Sequence, residues 1–99
     1  MLTFSHIRWH LLQPDDWLKS RQGTLTVVHN LLSADTHLLN DLAMEILQVL
    51  EEGSASFAQI QAHMGIGQDD REECAALARI LWQLDHLGLI TPELVDDAP

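Results

Sequence analysis

Cations are scarce in this chain. Five Lys and Arg residues stand against 15 Asp and Glu, a formal net charge of −10 at pH 7. Proteins that hold nucleic acid neutralise its phosphates with clustered Lys and Arg. Here Arg8, Lys19, Arg21, Arg71 and Arg79 are scattered, so the overall field repels DNA, RNA and anionic membranes. A basic or neutral partner is favoured, and the plainer use of the acidity is solubility. Cysteine is nearly absent. Cys74 alone leaves no internal disulfide and no paired thiolate ligands, and it fits a reducing cytoplasm. No apolar run approaches the roughly 18 residues of a membrane span. Met1 to His10 lacks the apolar run and small-residue cleavage site of a signal peptide. Internal repeats and low-complexity linkers are missing too, so the 99 residues read as one domain.

The usual marks of catalysis are also missing. There is no nucleophile elbow and no phosphate-cradling glycine loop. Cys74 falls on a helix face with Leu77, Ala78 and Leu81, where a thiol acts as a small buried hydrophobe. Asp69, Asp70, Glu72 and Glu73 fall in a helix's first turn, where the dipole favours carboxylates. The six histidines are His6, His10, His29, His37, His63 and His86, and they make no helical metal motif. His6 and His10 fall on a strand that separates them by roughly 13 Å. His29 and His37 approach each other if they face across a hairpin, but two ligands alone hold a metal weakly. The chain therefore reads as non-enzymatic, without metal or cofactor.

What is present is core material: 46% of residues are hydrophobic. A domain this small still buries only about 60–65% of its unfolded surface, so a partner adds to its stability. Strand chemistry comes first. Ile7–Leu12 alternates loosely and stops at the turn residues Gln13-Pro14-Asp15-Asp16, which predicts a first strand. Leu25–Asn30 is a second, with Leu25, Val27 and His29 on one side and Thr26, Val28 and Asn30 on the other. Ser33-Ala34-Asp35 turns the chain, and Thr36–Leu39 returns as a short third strand.

After Asn40 the period becomes helical. Asn40 is a good N-cap for a stripe of Leu42, Ala43, Ile46, Leu47 and Leu50 that ends at Gly53. Ser56 and Gln59 have capping-box spacing for a short helix with Phe57, Ile60, Gln61 and Met64, stopped by Gly65-Ile66-Gly67. Asp69 or Asp70 caps a third helix that runs to about Leu87, and Gly88 terminates it. Leu89-Ile90-Thr91 then leaves in extended form. The fold class is α+β: an N-terminal three-stranded antiparallel sheet followed by a three-helix bundle, winged-helix-like in its helix lengths. Residues 1–91 form the domain, and the acidic segment 92–99 reads as a disordered tail.

Two features exceed a plain globular domain. On the third helix the apolar positions Cys74, Ala76, Leu77, Ala78, Ile80, Leu81, Trp82, Leu84 and Leu87 cover roughly two thirds of the circumference. Either that helix is sandwiched, or one margin of its face lines a groove. The third strand, Thr36-His37-Leu38-Leu39, is short and suited to a sheet edge, where a foreign peptide can add as a strand.

Val28-His29, then Ser33-Ala34-Asp35-Thr36-His37-Leu38-Leu39-Asn40, the Leu42/Ile46/Leu50 helix and the late Leu84-Asp85-His86-Leu87-Gly88-Leu89-Ile90 together resemble the PqqD-like family. These are the recognition elements of ribosomally made, post-translationally modified peptides. The pattern is most like the branch found beside HPr-kinase-related proteins. Ala34 stands where the turn calls for glycine, and a left-handed alanine there carries strain. The resemblance implies a three-stranded sheet followed by three helices. It also implies binding of a precursor's leader segment as an added strand on the third strand, beside the third helix, for presentation to a modifying enzyme, often a radical SAM enzyme.

On that reading main-chain bonds from Thr36, His37, Leu38 and Leu39 supply affinity. Ala76, Ile80 and Leu84 select side chains, and Arg79 or Gln83 meets polar groups at the rim. The expected partners are the leader peptide and a modifying enzyme or HPr-kinase-related protein, in the cytoplasm. A winged-helix DNA-binding regulator is the second reading. It is opposed by five acids on and before the third helix (Asp69, Asp70, Glu72, Glu73, Asp85) against Arg71 and Arg79. A structural module that forms a homodimer by self-pairing of the edge strand is the third.

Overall fold

Asn40 joins the two halves of the chain without a loop. It closes strand β4 (Thr36–Asn40), and its side-chain oxygen accepts the Ala43 amide at 2.9 Å, capping helix α1 (Asp41–Glu51). Such a cap contributes about 1 kcal/mol. Here it also fixes where a helix begins relative to a strand edge. The computed structural model describes residues 7–94. Ahead of β4 come β1 (Ile7–Leu11), a single 3-10 turn at Pro14–Asp16, β2 (Trp17–Gln22) and β3 (Leu25–Asn30). After α1 come the two-residue β5 (Ala55–Ser56), α2 (Phe57–His63), α3 (Arg71–His86) and β6 (Ile90–Leu94).

The strands form two antiparallel three-stranded sheets, in the orders β5-β1-β6 and β2-β3-β4. The architecture is mixed α+β with three helices. Two expectations need correction. First, the strand at Ile7 does not belong to the hairpin sheet. That sheet opens with β2, which pairs with β3 from Trp17↔Asn30 to Gln22↔Leu25 through a tight turn at Gly23-Thr24. The inward side chains of β2 are Trp17, Lys19 and Arg21, so no apolar alternation announces the strand. Instead Lys19 Nζ meets Glu51 at 2.8 Å and Arg21 meets Asp41 at 3.0 Å. Both pairs are partly exposed and add little stability, yet they anchor β2 to one side of α1.

Second, the segment after Thr91 is not all tail. Pro92, Glu93 and Leu94 lie opposite Trp9, Arg8 and Ile7. Proline is tolerated because β6 is an edge strand, whose outward N–H groups have no ladder partner to lose. Residues 95–99, the rest of the expected tail, lie outside the described residues, as does His6.

The helices follow the sequence closely. α2 carries the full capping box: Ser56 Oγ accepts the Gln59 amide at 3.2 Å, and Gln59 Oε1 accepts the Ser56 amide at 3.0 Å. Asp70 rather than Asp69 caps α3, accepting the Glu73 amide at 3.1 Å. At the other end Gly88 adopts φ 79, and the Leu89 amide reaches back to the Leu84 carbonyl at 3.1 Å. That six-residue closure needs a left-handed residue, which glycine supplies without strain.

It also turns Leu89 and Ile90, both fully buried, into the core beside Trp9, Leu81 and Leu84. The core sits between the β5-β1-β6 sheet, α1 and α3, with Ile46, Leu47 and Leu50 of α1 and Ile60 of α2 closing it. Each of these side chains contributes about 1.5–3 kcal/mol by leaving water. Leu42, expected in the same α1 stripe, stays 37% exposed at its margin. Among the described residues no helix is long and apolar enough to cross a membrane.

Candidate functional site

β4 is an edge strand: β3 pairs with one side of it and nothing among the described residues pairs with the other. The register sets which main-chain groups are free. The Asn30 amide bonds the Asp35 carbonyl at 2.9 Å. In an antiparallel ladder bonded and non-bonded pairs alternate. The bonded pairs onward are therefore Val28–His37 and Thr26–Leu39. His37 and Leu39 spend their ladder bonds on β3, while Thr36, Leu38 and Asn40 point their main-chain groups outward. The sequence reading assigned peptide bonds to all of Thr36–Leu39; in this register Thr36 and Leu38 are the available half of that set.

Side chains alternate the other way. Leu39 and His37 face the helices, with Leu39 buried beside Thr26. The His37 imidazole buries its Nε2 without a hydrogen-bond partner. Leu38 is 65% exposed on the uncovered face of the sheet, opposite Val27. His29 also lies on that face and bonds Thr36 Oγ1 at 2.8 Å. His29 and His37 therefore occupy opposite faces of the sheet and do not meet across the hairpin. No group of three or more His, Cys, Asp or Glu suited to a metal occurs among the described residues.

Along the free edge of β4 runs a groove of about 150 Å³, lined by Leu38, Leu39 and Asn40 on one wall and Ile80, Gln83, Leu84 and Leu87 of α3 on the other, with Ala43 of α1 between. None of these side chains is charged. Gln83 and Asn40 are the polar groups of the lining. The small Ala43 in α1's first turn leaves the space open, and the Asn40 cap holds that turn against the strand end. α3 is thus neither fully sandwiched nor merely striped. Leu77, Leu81 and Leu84 enter the core, while Ile80 and Leu87 are half-buried at the groove margin. On the opposite margin Trp82 stacks edge-on against Trp9, centroids 5.0 Å apart. Cys74 is half-buried, its thiol 3.6 Å from the Gly67 carbonyl.

Of the residues expected to bind, Leu38, Leu39, Ile80, Gln83 and Leu84 converge on this groove. Thr36 lies further along the same edge. Ala76 does not join them; it lines a different hollow with Leu42 and Met64. Arg79 is exposed and outside the lining. Asn40, Ala43 and Leu87 belong to the groove but were not assigned to it from sequence. The signal for the first two was present, because a cap residue at the end of an edge strand necessarily brings the helix's first turn to that edge. No family model matches the chain, and no curated protein or solved structure matches it.

Proposed function

We propose that this chain is a non-catalytic peptide chaperone. It binds the leader segment of a ribosomally made precursor by strand addition to β4 and presents it to a modifying enzyme. One observation carries the reading: a free strand edge and an uncharged groove run side by side. A peptide laid antiparallel or parallel to β4 would take up the outward groups of Thr36 and Leu38. Its alternate side chains would drop toward Ile80, Leu84 and Leu87. Main-chain bonds supply affinity in that mode, and the groove supplies selectivity for apolar residues at every second position. The resemblance to PqqD-like proteins supports the same job, with a radical SAM enzyme or an HPr-kinase-related protein as the recipient. We read α1 to α3 as the helical part of a winged-helix-like arrangement, with the β2-β3-β4 sheet beside it, acting in the cytoplasm.

The test uses two variants aimed at the two walls. Leu38→Pro removes an outward amide while leaving the His37 and Leu39 bonds to β3 in place, and an edge strand accepts proline at such a position. Ile80→Asp puts an uncompensated charge into the groove. A precursor leader peptide is titrated calorimetrically into wild type and each variant after circular dichroism shows native helix content. Each variant should bind about tenfold more weakly, roughly 1.4 kcal/mol. Wild-type affinity in both folded variants would falsify the groove as the peptide site. A wild-type dimer that Leu38→Pro converts to monomer in sedimentation would instead assign the edge to self-pairing.

A further inference from the structure

The carboxylates of α1 and its C-cap differ in their partners. Asp41 and Glu51 are held by Arg21 and Lys19 of β2. Glu45 and Glu52 have no ion-pair partner among the described residues. They border two adjoining hollows, of about 250 and about 400 Å³, which share Glu45 and Met64. The first has an apolar floor of Leu42, Ile66 and Leu77, and Glu73 of α3 completes its rim. The second continues past Val49 to Glu52. The trough thus follows α1 from Leu42 to Glu52, roughly 15 Å at 1.5 Å per residue.

We propose that this trough docks a basic amphipathic helix of a partner protein. Charge decides the sign of the occupant. Glu45 and Glu73 border the apolar floor, and Glu52 lies further along beside Gln48 and His63. None of the three carboxylates has an ion-pair partner among the described residues, and no Lys or Arg lies in the lining. A segment with apolar anchors flanked by Lys or Arg is drawn in by complementarity and held by burial. Backbone chemistry decides its form. The walls are α1, the end of α2 and the start of α3, whose helical main-chain groups are mostly already bonded, and no strand edge borders the trough. An incoming segment must satisfy its own amides, which a helix does.

Composition excludes a second copy of these 99 residues as the source. α1 and α2 carry no Lys or Arg, α3 carries only Arg71 and Arg79, and Arg8, Lys19 and Arg21 already bond Ser54, Glu51 and Asp41. The inference does not depend on leader binding. The trough uses Glu73 to Leu77 of α3, whereas the groove beside β4 uses Ile80 to Leu87.

The probe is a fluorescein-labelled amphipathic peptide of Leu, Ala and Lys, about 15 residues long so that it can hold a helix, with a scrambled peptide of the same composition as control. Anisotropy titrations should show wild type binding the amphipathic form at least about tenfold more tightly than the scrambled one. Glu45→Lys and Leu42→Gln, both at exposed positions, should each lose most of that preference. Asp15→Lys makes the same charge change away from the trough, and Ile80→Asp alters the other groove. Both should keep the preference within about twofold, a change under about 0.5 kcal/mol.

Equal binding of the two peptides, no binding, or an equal loss in Asp15→Lys overturns the proposal in favour of diffuse attraction or none. A loss in Ile80→Asp as large as in Leu42→Gln overturns it by making the trough an extension of the peptide groove. A wild-type dimer in sedimentation that Leu42→Gln abolishes overturns it by giving the face to a second copy. Failure of Leu38→Pro to weaken leader binding leaves this outcome untouched, so the two readings fail separately.

Discussion

Ala34 sits at φ 63, in the left-handed region, inside the turn that delivers β4. Its amide bonds the Asn30 carbonyl at 2.8 Å, and Asn30 Oδ1 accepts the Leu32 amide at 2.9 Å. The local bonds therefore hold alanine where glycine would rest without strain, at a cost of roughly 1–2 kcal/mol. Ala34→Gly relieves that strain but enlarges the freedom of the unfolded chain, which offsets part of the gain. The net expectation is stabilisation of about 0.5–1 kcal/mol, a rise in Tm of a few degrees for a domain of this size. Thermal unfolding by circular dichroism reads it, and an unchanged or lower Tm counts against strain at this turn.

His37 supplies a second residue-level expectation. Its Nε2 is buried without a partner, which costs about 1–3 kcal/mol when no water reaches it. His37→Leu should therefore raise stability in urea unfolding. Because the His37 main chain bonds β3 rather than the free edge, leader affinity should stay within about twofold, under about 0.5 kcal/mol. A tenfold loss would mean that the imidazole itself meets the peptide.

Elements whose local chemistry is self-sufficient were legible in the sequence; those formed only by distant pairing were not. The caps at Asn40, Ser56 and Asp70 act on neighbours three residues on, so their residues announce the helices. β3 shows its alternation plainly and matched its expected span, Leu25–Asn30. β2 does not, since its inward positions after Trp17 are cations that reach across to α1 rather than apolar groups that pack. The extended start of β6 at Ile90-Thr91 is legible, but its second half reads as a tail because Pro92, Glu93 and the run of acids look solvent-bound. Its place is set by β1, more than 80 residues earlier in the chain.

The groove was half legible for the same reason. Leu38, Leu39, Ile80, Gln83 and Leu84 follow from an edge strand beside an over-wide apolar helix face, whereas the direction of each β4 amide depends on the ladder register. The pairing of β6 makes a prediction at this scale. Deleting residues 92–99 removes the partners of Ile7, Arg8 and Trp9 and should lower stability by about 1–3 kcal/mol, the two ladder bonds of the Arg8–Glu93 pair at roughly 1 kcal/mol each together with the lost cross-strand packing. A truncation ending after Leu94 keeps those partners. Equal unfolding midpoints for the two truncations would show that the Pro92–Leu94 pairing contributes nothing.

For the whole molecule, charge and shape pull apart. Three consecutive helices beside a small sheet invite comparison with DNA-binding folds, and fold alone does not decide function. The distribution of cations decides more. Arg8, Lys19 and Arg21 are engaged with Ser54, Glu51 and Asp41, which leaves Arg71 and Arg79 as the remaining Lys or Arg. Both are on α3, which is capped by Asp70 and carries Glu72 and Glu73 in its first turn. Any approach of α3 to a duplex brings those carboxylates to the phosphates.

With a net charge of −10, no counterion release is available to supply the nonspecific affinity on which DNA recognition usually builds. The chain should therefore show no retention of a duplex fragment in electrophoretic mobility assays at about 0.1 M salt, where the Debye length is about 10 Å. It should show none at lower salt either, because weaker screening strengthens the repulsion as readily as it would an attraction. Micromolar binding that weakens as salt rises would reverse this conclusion. It would require a cationic surface that the five Lys and Arg residues do not form.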